Sequence, residues 1–269
     1  YRWVHALDFA EDLESERMSE WLRTKEDIWD QVVDDPYQPI EIALQTFDAF
    51  DNHQINAMIS SSGSGNKLFY HAGIGQKAVQ HFFVADLVDS YSDGLTQISI
   101  TGQEYARDLT SPPAMSTANE IIVRQQSLKR LCWERYQEWH WNQYQNPMGK
   151  ALSYYPFDDS VSEALQLMVE TEQNTLIQHE RGEMQITQQF GIKWSEMMLK
   201  LLGTKAELMA RAVRDNLADS LSTLPFLIEQ KNPAAMHFYF ANLAHIRKEI
   251  FPSALWLTRA GLTTGIPWH

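Results

Sequence analysis

The chain is predicted to be an α+β protein, predominantly α-helical. An N-terminal helix and a small antiparallel sheet precede a C-terminal helical bundle. Three observations predict this. Apolar residues recur at spacings of three and four over long stretches at both ends of the chain. Between residues 68 and 100 that period gives way to short β-branched and aromatic runs. Three strings of the form Ser/Thr-x-x-Glu, starting at Thr117, Ser160 and Thr204, read as capping boxes ahead of periodic stretches.

Residues 8 to 33 are predicted helical, because Met18, Trp21, Leu22, Ile28, Trp29 and Val32 share one face with acidic residues between them. Asp34-Asp35-Pro36 ends that helix. Residues 34 to 52, with Pro36 and Pro39, read as irregular, and a short helix is expected around Gln54 to Ile59. The serine- and glycine-rich stretch from Ser60 to Gly65 reads as a loop. Leu68-Phe69-Tyr70, His81 to Leu87 and Gln97 to Ile100 are predicted strands, with Asp93-Gly94 as a hairpin turn. Gly73-Ile74-Gly75 is too short for a dinucleotide fingerprint and reads as a turn between strands.

From about residue 104 the chain reads as helical to its end. Ser111-Pro112-Pro113 is a break, dividing the chain into an N-terminal α+β region (1–112) and a C-terminal helical bundle (113–269). Thr117-x-x-Glu120 is expected to open a helix to about Tyr144, which Asn146-Pro147 stops. Ser160-x-x-Glu163 opens the next, to about Phe190, and Thr204-x-x-Glu207 a third, to about Asp219. Asn232-Pro233, a cap followed by proline at the first helical position, starts a fourth that Pro252 ends.

Composition narrows the function classes. The 269 residues suffice for a sizeable core. The net charge of −13, with Lys and Arg scattered, supplies no basic groove, so neither nucleic acid nor an anionic membrane is an expected partner. No apolar run approaches the roughly 20 residues of a membrane span, and no signal peptide is visible. A single cysteine, Cys132, rules out a disulfide framework and a Cys-based zinc site within the chain. It lies mid-helix between Leu131 and Trp133 and reads as a packed side chain. A cytoplasmic location is expected. The chain begins at Tyr1 and not Met, so a preceding segment is expected.

The helix from Ser160 to Phe190 carries the main chemical signal. Its stripe of Leu165, Met168, Glu172, Leu176, His179, Glu183, Ile186 and Phe190 is apolar at both ends and charged in the middle. Burying unpaired carboxylates costs several kcal/mol, so the break in the stripe calls for a reason. One is a divalent cation (zinc, manganese or iron) held by Glu172, His179 and Glu183, with His245 of the fourth helix as the best second donor. His179-Glu180-Arg181-Gly182-Glu183 resembles the His-Glu-x-x-His helix of zinc metallopeptidases, with Glu183 in place of the second histidine. In that pattern Glu180 would be the general base. The competing reading is a buried polar network without metal. Asp215 and Asp219 lie opposite the apolar stripe Ala206, Ala210, Val213, Leu217 and Leu221, and so read as a solvated face with Arg211 pairing Asp215. Trp133, Tyr136, Trp139, Trp141 and Tyr144 read as core or interface packing.

Several segments together resemble an uncharacterised protein family, found mainly in proteobacteria and carrying no assigned activity. They are Tyr1-Arg2-Trp3, Glu20-Trp21-Leu22 to Trp29, His81 to Leu87, Glu104 to Leu109, Pro113-Ala114-Met115, Leu176 to Glu183 and Thr223-Leu224-Pro225. The resemblance implies a smaller N-terminal part and a helical C-terminal part, and it implies no reaction. Two function classes follow. One is a metal-binding bundle, a hydrolase or carboxylate-bridged oxidase. The other is a non-catalytic interaction or accessory protein, with a protein partner or a second copy of itself.

Overall fold

The computed structural model describes residues 1–32, 35, 36, 38–61, 67–74, 80–108, 111–117, 119–243 and 245–252, without the side chain of His245. The first helix, α1 (Ser15–Val32), starts later than its apolar pattern suggests and has no buried residue. Residues 38 to 52 hold regular structure that their composition does not predict. Strands β1 (Ile40–Ile42) and β2 (Gln45–Phe47) pair antiparallel there. Their two-residue turn is Ala43-Leu44, both at positive φ (49° and 66°). Such turns normally carry Asn-Gly, so this one leaves no signature in the sequence.

Helix α2 (Asn52–Ser61) lies along the edge of β3 (Leu68–Ile74), the outer strand of the larger sheet. Two of its asparagines, one turn apart, pair with the β3 backbone. Asn52 bonds both the N–H and the C=O of Ala72 (2.7 and 2.8 Å), and Asn56 does the same for Tyr70 (2.8 Å each). Strands β4 (Gln80–Asp93) and β5 (Thr96–Arg107) form the long hairpin, with Gly94 at φ 62° in its turn. Gly73 and Ile74 continue β3 and are not a turn; residues 62–66 and 75–79 lie outside the described residues.

The chain does not become helical at residue 104. Strands β6 (Ala114–Ser116) and β7 (Glu120–Arg124) follow, and the order β3-β4-β5-β7-β6 places both in the same sheet. Because β5 and β7 run parallel, the sheet is mixed and not antiparallel throughout. The string Thr117-x-x-Glu120 is the β6–β7 turn, with the Thr117 N–H bonded to the Glu120 carbonyl at 2.8 Å, and caps no helix. The β-branched run Ile121-Ile122-Val123 prefers extended backbone and buries completely. Two strands of the sheet thus lie beyond the expected break at residue 113.

Helix α3 (Gln125–Asn142) follows β7 without a loop. Then come α4 (Pro147–Leu152), α5 (Val161–Phe190), α6 (Ile192–Leu201) and α7 (Lys205–Ala218). A π-helical turn (Asp219–Thr223) joins α7 to α8 (Leu224–Gln230), and α9 (Pro233–Asn242) and α10 (His245–Ile250) complete the described chain. The caps of α5 and α7 form as the sequence predicts: Ser160 accepts from the Glu163 N–H at 3.3 Å and Thr204 from the Glu207 N–H at 3.2 Å. Glu207 closes its box through the N–H of Gly203 at 2.7 Å. The predicted fourth helix is two, interrupted at Leu243.

α5 organises the molecule. Its first half packs Leu165, Met168 and Val169 against Leu128, Cys132, Leu152 and Phe238 of α3, α4 and α9. Its second half sets Ile177 on the sheet residues Ile98, Ile100, Ile121 and Val123. Sheet and bundle therefore share one helix. Tyr136 stacks on Phe157 at 4.2 Å, whereas Trp141 and Tyr144 stay exposed. No helix among the described residues is long and apolar enough to cross a membrane.

α7 faces the opposite way from its apolar pattern. Val213, Leu217 and Leu221 are each 41–51 % exposed, while Asp219 is 1 % exposed. The solvated face expected for Asp215 and Asp219 is the packed one. What turns the helix is a close approach to α5 and an ion-pair network.

Candidate functional site

The close approach depends on Gly182. A Cβ there would run into the backbone carbonyl of Ala218, so only glycine lets α7 lie this near α5. The turn of α5 from His179 to Glu183 is thereby set against the π-turn. Widened turns of this kind recur at functional sites.

Asp219 is saturated with donors. Its Oδ1 accepts from His179 Nδ1 (2.7 Å) and Thr223 Oγ1 (2.7 Å), its Oδ2 from the Tyr239 hydroxyl (2.9 Å) and the Arg247 guanidinium. The other ring nitrogen of His179, Nε2, lies 3.3 Å from Glu183 Oε1, which in turn accepts from Arg214 at 2.7 Å. Arg214 also reaches Asp215 at 2.9 Å. The result is a chain of alternating charge from Arg247 to Asp215 across three helices and the π-turn. Burial opposes charge on His179, but hydrogen bonds to Asp219 and Glu183 outweigh it and raise its pKa to about 10. Burial likewise opposes the Asp219 charge, yet the His179 and Arg247 cations hold its carboxyl at about 2. At neutral pH His179 is an imidazolium.

His179, Asp219, Tyr239 and Arg247 line a cavity of about 270 Å³. The same cavity has apolar lining from Leu128, Leu131, Leu176, Phe238 and Leu243. Glu172, two turns before His179 on α5, also lines it and is 2 % exposed. Neither its Oε1 nor the Thr175 hydroxyl makes a well-formed hydrogen bond, although Thr175 lies close enough to favour the Glu172 charge a little. Burial pushes the Glu172 carboxyl up to about 8, so it is neutral at pH 7. An apolar pocket with a few convergent polar groups of perturbed pKa is the usual form of a small-molecule site.

The five residues singled out from the sequence are distributed unevenly. Glu172 and His179 share this pocket, and Glu183 lies behind His179 as its second carboxylate partner. Glu180 lines a different cavity, on the sheet side of α5, where Ser116 donates to it at 2.7 Å. It is not placed as a base beside His179. The side chain of His245 lies outside the described residues. The expected metal ligand set finds no support: both nitrogens of His179 are engaged by carboxylates, and among the described residues no three of His, Cys, Asp and Glu are grouped to hold a metal ion. Arg135, Asp219, Tyr239 and Arg247 were not legible as site residues. The only available signal was the i, i+4 pair Asp215 and Asp219, which the apolar stripe on the other side of α7 made look solvated.

Residues 1–124 match the N-terminal domain, and residues 129–265 the C-terminal domain, of a family of unknown function, DUF6866. The chain belongs to the DUF6866 family. The two DUF6866 domains meet where β7 passes directly into α3, and all of the pocket's lining but Leu128 lies within the C-terminal one. This agrees with the resemblance read from the sequence. No curated protein and no solved structure matches the chain.

Proposed function

We propose that this DUF6866 chain binds a small apolar carboxylic acid in the pocket that Glu172 lines. The observation that carries the reading is a buried, neutral carboxyl with an unpartnered oxygen in a cavity it shares with Leu128, Leu131, Leu176, Phe238 and Leu243. An orphaned polar group in such a place costs about 1–3 kcal/mol, which a ligand hydrogen bond would recover. The sign of the ligand follows from the lining. Arg135, Arg247 and His179 carry positive charge against the single negative charge of Asp219. A ligand carboxylate would accept from the Glu172 hydroxyl, and its hydrocarbon part would lie against Leu128, Leu176 and Phe238.

Calorimetric titration with hexanoate, and with hexanamide of the same length, tests this. Hexanoate should bind saturably and more tightly than hexanamide. Glu172→Gln keeps a donor and should retain binding; Glu172→Met removes it and should weaken binding about tenfold. Hexanoate affinity should fall as the pH rises past about 8, where Glu172 ionises and repels the ligand. Equal affinity for acid and amide, or no effect of Glu172→Met, would sink the reading.

The metal-dependent hydrolase or oxidase reading has less behind it, because His179 and Glu183 are engaged in ion pairs. The interaction class retains one favourable observation. Met209, Val213 and Leu217 of α7 and Leu221 of the π-turn recur at helical spacing and are exposed, as are Ile192 and Leu199 of α6. An uncovered apolar face of this kind suits a second copy of the chain. Sedimentation of Leu217→Glu beside the parent chain distinguishes a dimer through this face from a monomer.

A further inference from the structure

The cavity on the sheet side of α5 is unlike the pocket. It measures about 630 Å³ and is bounded by β3, β4, β6 and α5. His71 and His81 contribute to it from neighbouring strands, diagonal to each other in register, since His71 pairs with Phe83 and Gly73 with His81. Their rings lie 5.5 Å apart. Gly73 leaves a gap between them: a Cβ at that position would sit 3.2 Å from His71 Nε2 and 3.3 Å from His81 Nε2. His71 is 4 % exposed. Its Nδ1, and the Nε2 of His81, are buried without a hydrogen-bond partner. Across the cavity, Glu180 and Glu183 project from successive positions of one α5 face, with Ser116 and Thr117 beside them.

We propose that this cavity is a second ligand site, one that takes a small organic amine in its ammonium form. Among the described residues, the lining has two carboxylates, of which Glu183 is already bonded to Arg214, two imidazoles and no Lys or Arg. Burial, then the neighbouring His81 and Arg124, depress the His71 pKa to about 4, so its ring is neutral and has a lone pair to offer. Burial also depresses His81. Burial and the adjacent Glu183 push the Glu180 carboxyl up from its ordinary value, a like-charge crowding that an ammonium group would relieve. An ammonium ion carries donors only, and every orphaned group here can accept. A metal ion is the poorer occupant. It needs several donors drawn to about 2 Å, and among the described residues no three are so grouped. An ammonium group instead is satisfied by acceptors spread around it at about 2.8 Å.

The test is calorimetric titration with 1,4-diaminobutane, with 1,4-butanediol and zinc chloride as separate titrants. The diamine should bind saturably at millimolar concentration or below, and the diol should not. Glu180→Gln preserves the bond to Ser116 and removes the charge; it should weaken the diamine roughly ten- to hundredfold. Gly73→Ala fills the gap between the imidazoles, at a backbone conformation any residue adopts, and should weaken it as well. Melting temperatures of both variants separate lost binding from lost fold. Glu172→Met should leave diamine binding intact, so failure in the pocket and failure here are distinguishable. The proposal is overturned by absent diamine binding, by equal binding of the diol, by unchanged affinity in both folded cavity variants, or by zinc that binds and is displaced by the diamine.

Discussion

The two cavities that flank α5 are lined with opposite charge, though one helical turn serves both. On the bundle side, a single carboxylate, Asp219, collects four donors and sits at about 2. In the same pocket Glu172 collects none at its Oε1 and sits at about 8. On the sheet side, Glu180 and Glu183 share a cavity with His71 and His81, and among the described residues its lining holds no Lys or Arg, the Arg214 partner of Glu183 lying outside it. The difference is one of donor supply and not of depth, since Asp219 and Glu172 are both almost fully buried. Burial raises a carboxyl by default, and only paid-in hydrogen bonds from charged partners reverse it.

Substitutions can break or sharpen this contrast. The largest effect is expected for Asp219→Ala, which leaves the His179 and Arg247 cations buried without their partner. We expect a loss of about 3–5 kcal/mol in urea unfolding, with His179 titrating closer to its ordinary value by imidazole NMR. A loss below about 1 kcal/mol would show that the network carries little stability.

Glu172→Gln should act through pH. The folded carboxyl titrates near 8 and a free one near 4.5. Stability tied to the neutral form is therefore complete below about 4.5 and is lost as the pH rises to 8. A side chain that cannot ionise should gain on the parent across that window, on the order of 4 kcal/mol by pH 9. Parallel unfolding curves at pH 5 and pH 9 would contradict a buried neutral Glu172. The smallest of the three is Gly182→Ala, which pushes α5 off α7 and should cost about 1–3 kcal/mol by thermal unfolding. It should also lengthen the His179–Asp219 contact, so pocket binding should suffer before cavity binding does.

How much of this was legible in the sequence differs by element. The bounds of α5 were, because Ser160 caps it and Gly191, at φ 62°, ends it. The β1–β2 hairpin was not, since Ala43-Leu44 adopts a turn usually marked by Asn-Gly. Strand β7 was misread because Thr117-x-x-Glu120 has the letters of a helix cap in the place of a hairpin turn. At the site, Glu172 and His179 showed themselves by interrupting an apolar stripe. Asp219 did not, because reading a helix by its stripe assumes that the apolar side is the buried one. α7 violates that assumption. His71 and His81 approach each other only through strand register, which depends on the length and shape of a connection that residue types alone do not fix.

The pair of asparagines on α2 has a consequence of its own. A primary amide offers one donor and one acceptor, as a peptide unit does, so Asn52 and Asn56 stand in for two peptide units of a neighbouring strand. β3 is thereby denied to any other chain that would extend the sheet, a guard against fibre growth built from a helix. Deamidation of either would replace the NH₂ that faces a β3 carbonyl with a second oxygen, turning an attraction into a repulsion and freeing that stretch of the edge.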